Sequence, residues 1–366
     1  MKILNVTPYN ISNYGAMLQA WALRYVLEGM GHQVVYLHYP RIWPGRFKGL
    51  RLLQSRSIGS LRSKLAINKQ LDMVEKEIGG WEETMPYCSI ESLIKDPPLA
   101  DCYLVGSDQV FGVDRLVRFE KSCHAVLAFG SADVPRIAYA ASFGRPVWSN
   151  EEIKRARWAI SYLKCFRAIG LREMSGIGIL KEWAGIDGVW TPDPTLLLDA
   201  EDYRRQFDIR VLSKSRPRVV TYMLGFLTAQ QRVHLYKEAC SSVATYLNGS
   251  VDFVELKPMQ SLSYWLTEIA NADYVITNSF HGICFSLIFN RPFLPLGFDG
   301  EEAWRNARAY DYLEHVGISD RYRTANEYAT VESALIQDLK WSEINVCLQN
   351  FRRVGRDFLA SSLCDV

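Results

Sequence analysis

Nowhere in these 366 residues do about 20 apolar residues follow one another without interruption, so the sequence offers no helical membrane span. The opening Met1 to Tyr9 is short and apolar with one lysine, and lacks the long apolar core and small-residue cleavage site of a secretory leader. A cytoplasmic protein is expected. Charge of one sign is equally scarce. Lys and Arg number 42 against 40 for Asp and Glu, a net charge of +2, which gives no field of the kind that nucleic acid or an anionic bilayer selects. Any anionic ligand has to be recognised locally. The eight cysteines are scattered without a C-x-x-C pair, which argues for reduced, buried thiols rather than a disulfide framework or a metal site. Neither G-x-G-x-x-G nor a Walker sequence stands at the first turn, so no NAD, ATP or other cofactor is expected.

What the chain does have is alternation of strand and helix signals. Of its residues 48% are hydrophobic and 22% charged, ordinary globular material for two domains. Ile3 to Val6 reads as a strand, Asn10 to Gly15 is turn-rich, Met17 to Met30 has helical periodicity stopped by Gly31, and Gln33 to Tyr39 reads as a second strand. A crossover of that length implies parallel strands. Strand signals at Cys102 to Val105, Arg136 to Ser142, Phe166 to Leu171 and Gly188 to Trp190 complete a first domain over 1–205, with a helical insertion at about 41–98. The pattern restarts with strands at Arg218 to Met223, Val251 to Leu256, Tyr274 to Thr277 and Pro292 to Leu296, giving a second domain over 206–330. Residues 331–366 read as C-terminal helices packing back on the first domain. The expected fold is α/β, with two doubly wound Rossmann-like domains facing a cleft, which resembles the GT-B architecture.

Open α/β sheets bind ligands beyond the carboxyl ends of their strands, so polar residues there are candidates. Asn278-Ser279-Phe280-His281-Gly282 follows one apolar strand and opens an apolar helix. An anion is stabilised at a helix N-terminus, Gly282 permits its close approach, and the imidazole of His281 can hold it or move a proton. A plain Ser279 cap beside a packed His281 explains the same residues more simply. Gly106-Ser107-Asp108-Gln109 closes another strand, where Asp108 is suited to take a proton from a sugar hydroxyl, or merely to cap the next helix. Arg172 follows a third strand as a clamp for carboxylate or phosphate oriented by Glu173, unless the two only pair with each other. Asp193 lies in a rigid loop between two prolines. Asn13-Tyr14-Gly15 offers backbone approach to a ligand, and Lys257 and Arg308 are further cations for a multiply charged anion, though most such residues are solvated surface.

Taken in chain order, Asn13-Tyr14-Gly15 with Gln19 and Leu23, Val105-Gly106-Ser107-Asp108-Gln109, Tyr139-Ala140-Ala141-Ser142-Phe143-Gly144, Arg172-Glu173, Asp193-Pro194-Thr195, Ala272-Asp273 through Ser279-Phe280-His281-Gly282, and Arg291-Pro292-Phe293 resemble the polysaccharide pyruvyl transferase family. The match spans nearly the whole chain, and the ordered set is more specific than any one motif. The resemblance implies a bacterial transferase that moves a pyruvyl group from phosphoenolpyruvate to a sugar of a capsule, exopolysaccharide or cell-wall polymer precursor, forming a ketal and releasing phosphate. It implies that His281 and Arg172 lie at the phosphoenolpyruvate; with Asp108 taking the hydroxyl proton, these three are the expected catalytic residues. Donor contacts then fall to Ser279, Gly282, Lys257, Arg308 and Asn278, and acceptor contacts to Asn13, Tyr14, Gly15, Ser107, Gln109, Glu173 and Asp193. A lipid-linked acceptor would bring the protein to the inner face of the membrane, where the basic stretch Arg41 to Arg62 would touch the bilayer surface. One departure stands out: some members carry Arg at the position of Ser279. Here Arg172, Arg308 or Lys257 must supply that charge, or the donor sits differently. Two other functions suit the same architecture, a glycosyltransferase using a nucleotide sugar and a non-catalytic glycan-binding assembly protein. The 10 Trp and 19 Tyr would stack on sugars in the latter, although core packing accounts for them equally well.

Overall fold

The computed structural model describes residues 1–39, 58–118, 123–225, 230–324, 334–335 and 339–364. The chain divides into two compact units, Met1–Leu198 with Phe351–Val366, and Asp199–Asn350.

In the first unit the strands are short and apolar on both faces, the pattern that a parallel sheet covered by helices requires. They are β1 (Lys2–Val6), β2 (Gln33–Tyr36), β3 (Cys102–Val105), β4 (Arg136–Ala141), β5 (Ala168–Leu171) and β6 (Val189–Trp190), paired in parallel in the order β2-β1-β3-β4-β5-β6. The direction of travel across the sheet reverses between β1 and β3, which makes their carboxyl ends the switch point. The first crossover is the helix Tyr14–Gly29, so Tyr14 and Gly15 lie in a buried first helical turn and not in an open ligand-facing loop. The reason is local: Asn13 is a strong cap whose side chain accepts the Ala16 N–H at 3.1 Å. Of the insertion, helices Ile58–Glu77 and Ile90–Lys95 are described. The backbone of 40–57 and the side chains of 58–64, which include the basic stretch, lie outside the described residues.

The second unit repeats the plan with β7 (Arg218–Tyr222), β8 (Asp252–Glu255), β9 (Tyr274–Thr277) and β10 (Phe293–Pro295), parallel in the order β10-β9-β7-β8. Its switch point is between β7 and β9. Under the sheet Trp265 meets Tyr222 and Phe285 edge to face at 5.2 Å each, and Tyr203 meets Phe285 at 4.9 Å. These rings fasten the helices Leu262–Ala270 and Phe280–Ile288 to one another.

The last helix, Trp341–Leu363, is divided, its residues from Phe351 onward belonging to the first unit. Phe351 lies 4.4 Å from Trp190. Arg352 donates to the carbonyls of Leu196 and Leu198, and Arg356 to that of Leu197. At Gly355 a Cβ would meet the Tyr139 hydroxyl at 2.5 Å, so only glycine lets the helix lie this close.

No helix among the described residues is long and apolar enough to cross a membrane. All eight cysteines are free thiols; Cys102, Cys123 and Cys284 are buried, but Cys88, Cys165 and Cys364 are exposed, so burial is not general. Burial pushes the Cys102 and Cys123 thiols up to about 12 and 11.

Candidate functional site

In the first unit the carboxyl ends of β3, β5 and β6 bring four of the sequence candidates into one cluster. Arg172 follows β5 and is fully buried, donating to Asp193 Oδ2 at 3.0 Å and to Ser107 Oγ at 3.3 Å. Ser107 in turn donates to Asp193 at 3.2 Å, and Asp193 also accepts from the Thr195 amide and hydroxyl at 3.0 and 2.7 Å. Asp108 stands 3.6 Å from the guanidinium with its side chain 28% exposed. Burial alone would push the Arg172 guanidinium down; Asp193, Asp108 and Glu173 outweigh it and hold the group above its ordinary range, so it stays charged. Arg172 is therefore not an open clamp awaiting a ligand. It is the centre of a buried ion cluster, and Asp108 is the member that reaches solvent.

The remaining candidates of this edge have defined positions too. Glu173 accepts the Phe143 amide at 2.7 Å, fixing the turn after β4. Gln109 is half-buried beside Gly144, where a Cβ would touch its side chain at 3.3 Å. Asp108 itself holds φ +81°, a left-handed backbone that Asp and Asn tolerate better than most residues, and its carbonyl takes the amides of Val110 and Ser142. Gly106 is packed on Thr7, and a Cβ added there would lie 3.0 Å from that of Thr7. Sequence reasoning passed over Thr7, whose hydroxyl donates to the Ser107 carbonyl at 3.0 Å and accepts from Gln19 at 3.1 Å. Its place just past β1 was the available signal. A second buried set was also missed: Glu83 accepts from the Tyr9 hydroxyl at 2.9 Å and lies 3.3 Å from His38 Nδ1, beyond the ends of β1 and β2.

In the second unit the helix Phe280–Ile288 begins directly beyond β9, and Ser279 caps it by accepting the Gly282 amide at 3.3 Å. His281 sits in the first turn, half-buried, its ring edge to face with Phe280 at 5.1 Å. Asn278 joins the two strand ends of the switch point, accepting the Leu224 amide at 2.6 Å and donating to the Leu224 carbonyl at 2.9 Å. Thr277 does likewise, donating to the Tyr222 carbonyl at 2.6 Å and accepting the Ser279 amide at 3.0 Å. The space in front of Gly282 is filled by that same threonine, whose Cβ would lie 3.1 Å from an added Cβ. Glycine is needed there for helix-to-strand packing, and not, as the sequence suggested, for ligand approach. Tyr312 of the helix Asn306–His315 packs on Phe280 at 5.0 Å, and Arg308 is one helical turn before Tyr312 on the same face. Lys257 is 69% exposed and 3.7 Å from Glu255. Among the described residues no three His, Cys, Asp or Glu side chains gather as a metal site needs.

Several solved structures share the two-unit Rossmann-like fold. The Arabidopsis thaliana protein UGT89C1 complexed with UDP-L-rhamnose aligns over 99% of each chain at 10% identity and TM-score 0.52. UDP-GlcNAc 2-epimerase from Methanocaldococcus jannaschii aligns over 98% of this chain and 100% of its own at 12% identity and TM-score 0.51. Identities this low show the fold alone. Comparison with curated protein sequences gives no match. The polysaccharide pyruvyl transferase family model matches residues 13–300, a span holding the Arg172 cluster and the His281 turn alike, and the chain belongs to that family.

Proposed function

We propose that the chain transfers the pyruvyl group of phosphoenolpyruvate to a sugar of a surface-polysaccharide precursor, closing a cyclic ketal over two hydroxyls and releasing inorganic phosphate. The observation that carries the reading is His281 in the first turn of a nine-residue helix at a sheet switch point. A phosphate is stabilised at such a helix end, and an imidazole beside it can hydrogen-bond to it and pass on a proton.

The chemistry requires a proton on the methylene carbon of the enol phosphate, so that the neighbouring carbon gains oxocarbenium character. A sugar hydroxyl attacks that carbon, and a second hydroxyl of the same sugar displaces phosphate. One hydroxyl proton is thereby matched by the new methyl hydrogen and the other leaves with phosphate. In this reading His281 holds the phosphate and delivers the proton, Asp108 receives a hydroxyl proton, and Arg172 positions Asp108 from below without touching either substrate. Arg308 supplies the cation that Ser279 does not. Ser107, Asp193 and Glu173 hold the acceptor-side turns in place. The acceptor is a lipid-linked glycan at the inner face of the membrane, met from the cytoplasm.

The test is phosphate release from phosphoenolpyruvate by wild type and His281→Ala across lipid-linked galactose, mannose and N-acetylhexosamine acceptors. Acceptor-dependent release that disappears in the variant is expected. A second reading, transfer from a nucleotide sugar, draws on fold neighbours whose structures hold UDP-sugars. Absence of release with every acceptor, together with thermal stabilisation by UDP-sugars and none by phosphoenolpyruvate, would replace the first reading with the second.

A further inference from the structure

Outside the cluster around Arg172, the first unit carries a cavity of about 410 Å³ walled by Val147, Trp148, Ile153, Arg157, Glu182 and Trp183. That volume falls in the range of small-molecule sites, roughly 300–1,000 Å³. None of these residues belongs to the cluster around Arg172 or to the His281 turn. Three elements build the wall: the loop after β4, the helix Asn150–Ala156 with Arg157 at its end, and the last turn of the helix Met174–Ala184.

The two indoles meet edge to face, 5.1 Å apart at 61°. Trp148 is 9% exposed and packs on Phe143 at 5.4 Å, so its ring is fixed, while Trp183 is half-buried. Both indole N–H groups are buried, and neither finds an acceptor among the described residues. Arg157 and Glu182 are both exposed, and among the described residues neither side chain has an ion-pair partner.

We infer that this cavity binds an uncharged sugar ring, as a second carbohydrate site beside the one that carries the chemistry. The chemistry of the wall selects the ligand. Indole faces accept flat apolar surface, which a pyranose offers on its C–H face. The Arg157 guanidinium is a donor only and the Glu182 carboxylate an acceptor only, so a ligand that meets both must bring acceptors and donors together. Hydroxyl groups do both. A cationic ligand would meet Arg157, an anionic one Glu182, and a purely apolar one would leave both charged groups unmatched. The inference rests on the glycan part of the proposed function and is independent of its donor.

The experiment is calorimetric titration of the full chain with soluble tetrasaccharides of galactose, mannose and N-acetylglucosamine, read in parallel by tryptophan emission. Saturable binding of at least one oligosaccharide is expected, kept in His281→Ala and weakened by about tenfold or more in Trp183→Ala and in the double variant Arg157→Ala with Glu182→Ala. The double variant changes only exposed side chains, so its melting curve should match wild type and its result stands even if Trp183→Ala folds poorly. Binding with unchanged affinity in the double variant, or no binding by any of the three oligosaccharides, overturns the inference. Failure of the pyruvyl reading shows separately, as absence of phosphate release.

Discussion

The two strand-end regions use polar residues in opposite ways. At the first unit's edge the charges face one another: Arg172, Asp193 and Ser107 are buried together, and Asp108 alone emerges. At the second unit's edge the polar side chains Asn278, Thr277 and Ser279 bind backbone, beside a helix start that carries the half-buried His281, the reactive group of the proposed function. One region is a foundation whose removal should damage folding. The other is a surface whose removal should damage chemistry.

The sharpest test of that contrast is His281→Ala against Asp193→Ala. The first should lower the rate of phosphate release by ~10²–10⁴ and leave the melting temperature within a degree or two, as loss of a general acid or a transition-state contact does. The second strands Arg172 in the interior without its nearest carboxylate. Breaking a buried pair in this way costs about 3–5 kcal/mol, measurable as a shifted urea midpoint. An Asp193→Ala protein of wild-type stability would undo the comparison.

Gly282→Ala sharpens it further, because it alters the second unit's edge through packing alone. The added methyl overlaps Thr277, and overpacking of this kind costs about 1–3 kcal/mol. The nearest atom to the added methyl is the Thr277 hydroxyl oxygen, so Gly282→Ala combined with Thr277→Ala should lose less stability than the two single variants summed, which a ligand-contact role for Gly282 would not produce.

The smallest effect concerns pH. His124 is buried, stacked on Tyr39 at 5.8 Å, and burial, aided by the charge of Arg115, lowers it to about 3. Unfolded, the same imidazole titrates near its ordinary value of 6.5. Between these values the unfolded chain binds more protons, so the contribution is present above about pH 6.5 and is lost as pH falls toward 3, by up to about 1.4 kcal/mol per pH unit. Urea midpoints at pH 7 and pH 5 should differ less in His124→Phe than in wild type.

How much of this was legible in the sequence follows from the range over which each feature is decided. Cys102–Val105 and Tyr274–Thr277 are strands with the bounds their apolar runs suggest, and the other strands agree within a few residues, because buried parallel strands are written locally. Helix starts are harder to read. Asn13 and Ser279 each begin a helix immediately, where Gly15 and Gly282 suggested that the turn continued. The positions of the site candidates were visible for the same reason, as they follow strand ends. Their partnerships were not. Arg172 meets Ser107 across 65 residues and Asp193 across 21, and nothing in the local composition distinguishes a guanidinium held by carboxylates from one awaiting a substrate.

The divided last helix bears on how the chain is made. Leu196 receives its bond from Arg352, 156 residues later, so a ribosome must produce the whole second unit before the first can be finished. At ~5–20 residues per second that is a wait of roughly 8 to 30 s. During it the flank of β6 lacks Phe351, and Tyr139 lacks the backbone of Gly355, leaving an aromatic edge open to chaperones and to other nascent chains. Synthesis of the last helix, rather than completion of the first sheet, is the event that ends that exposure.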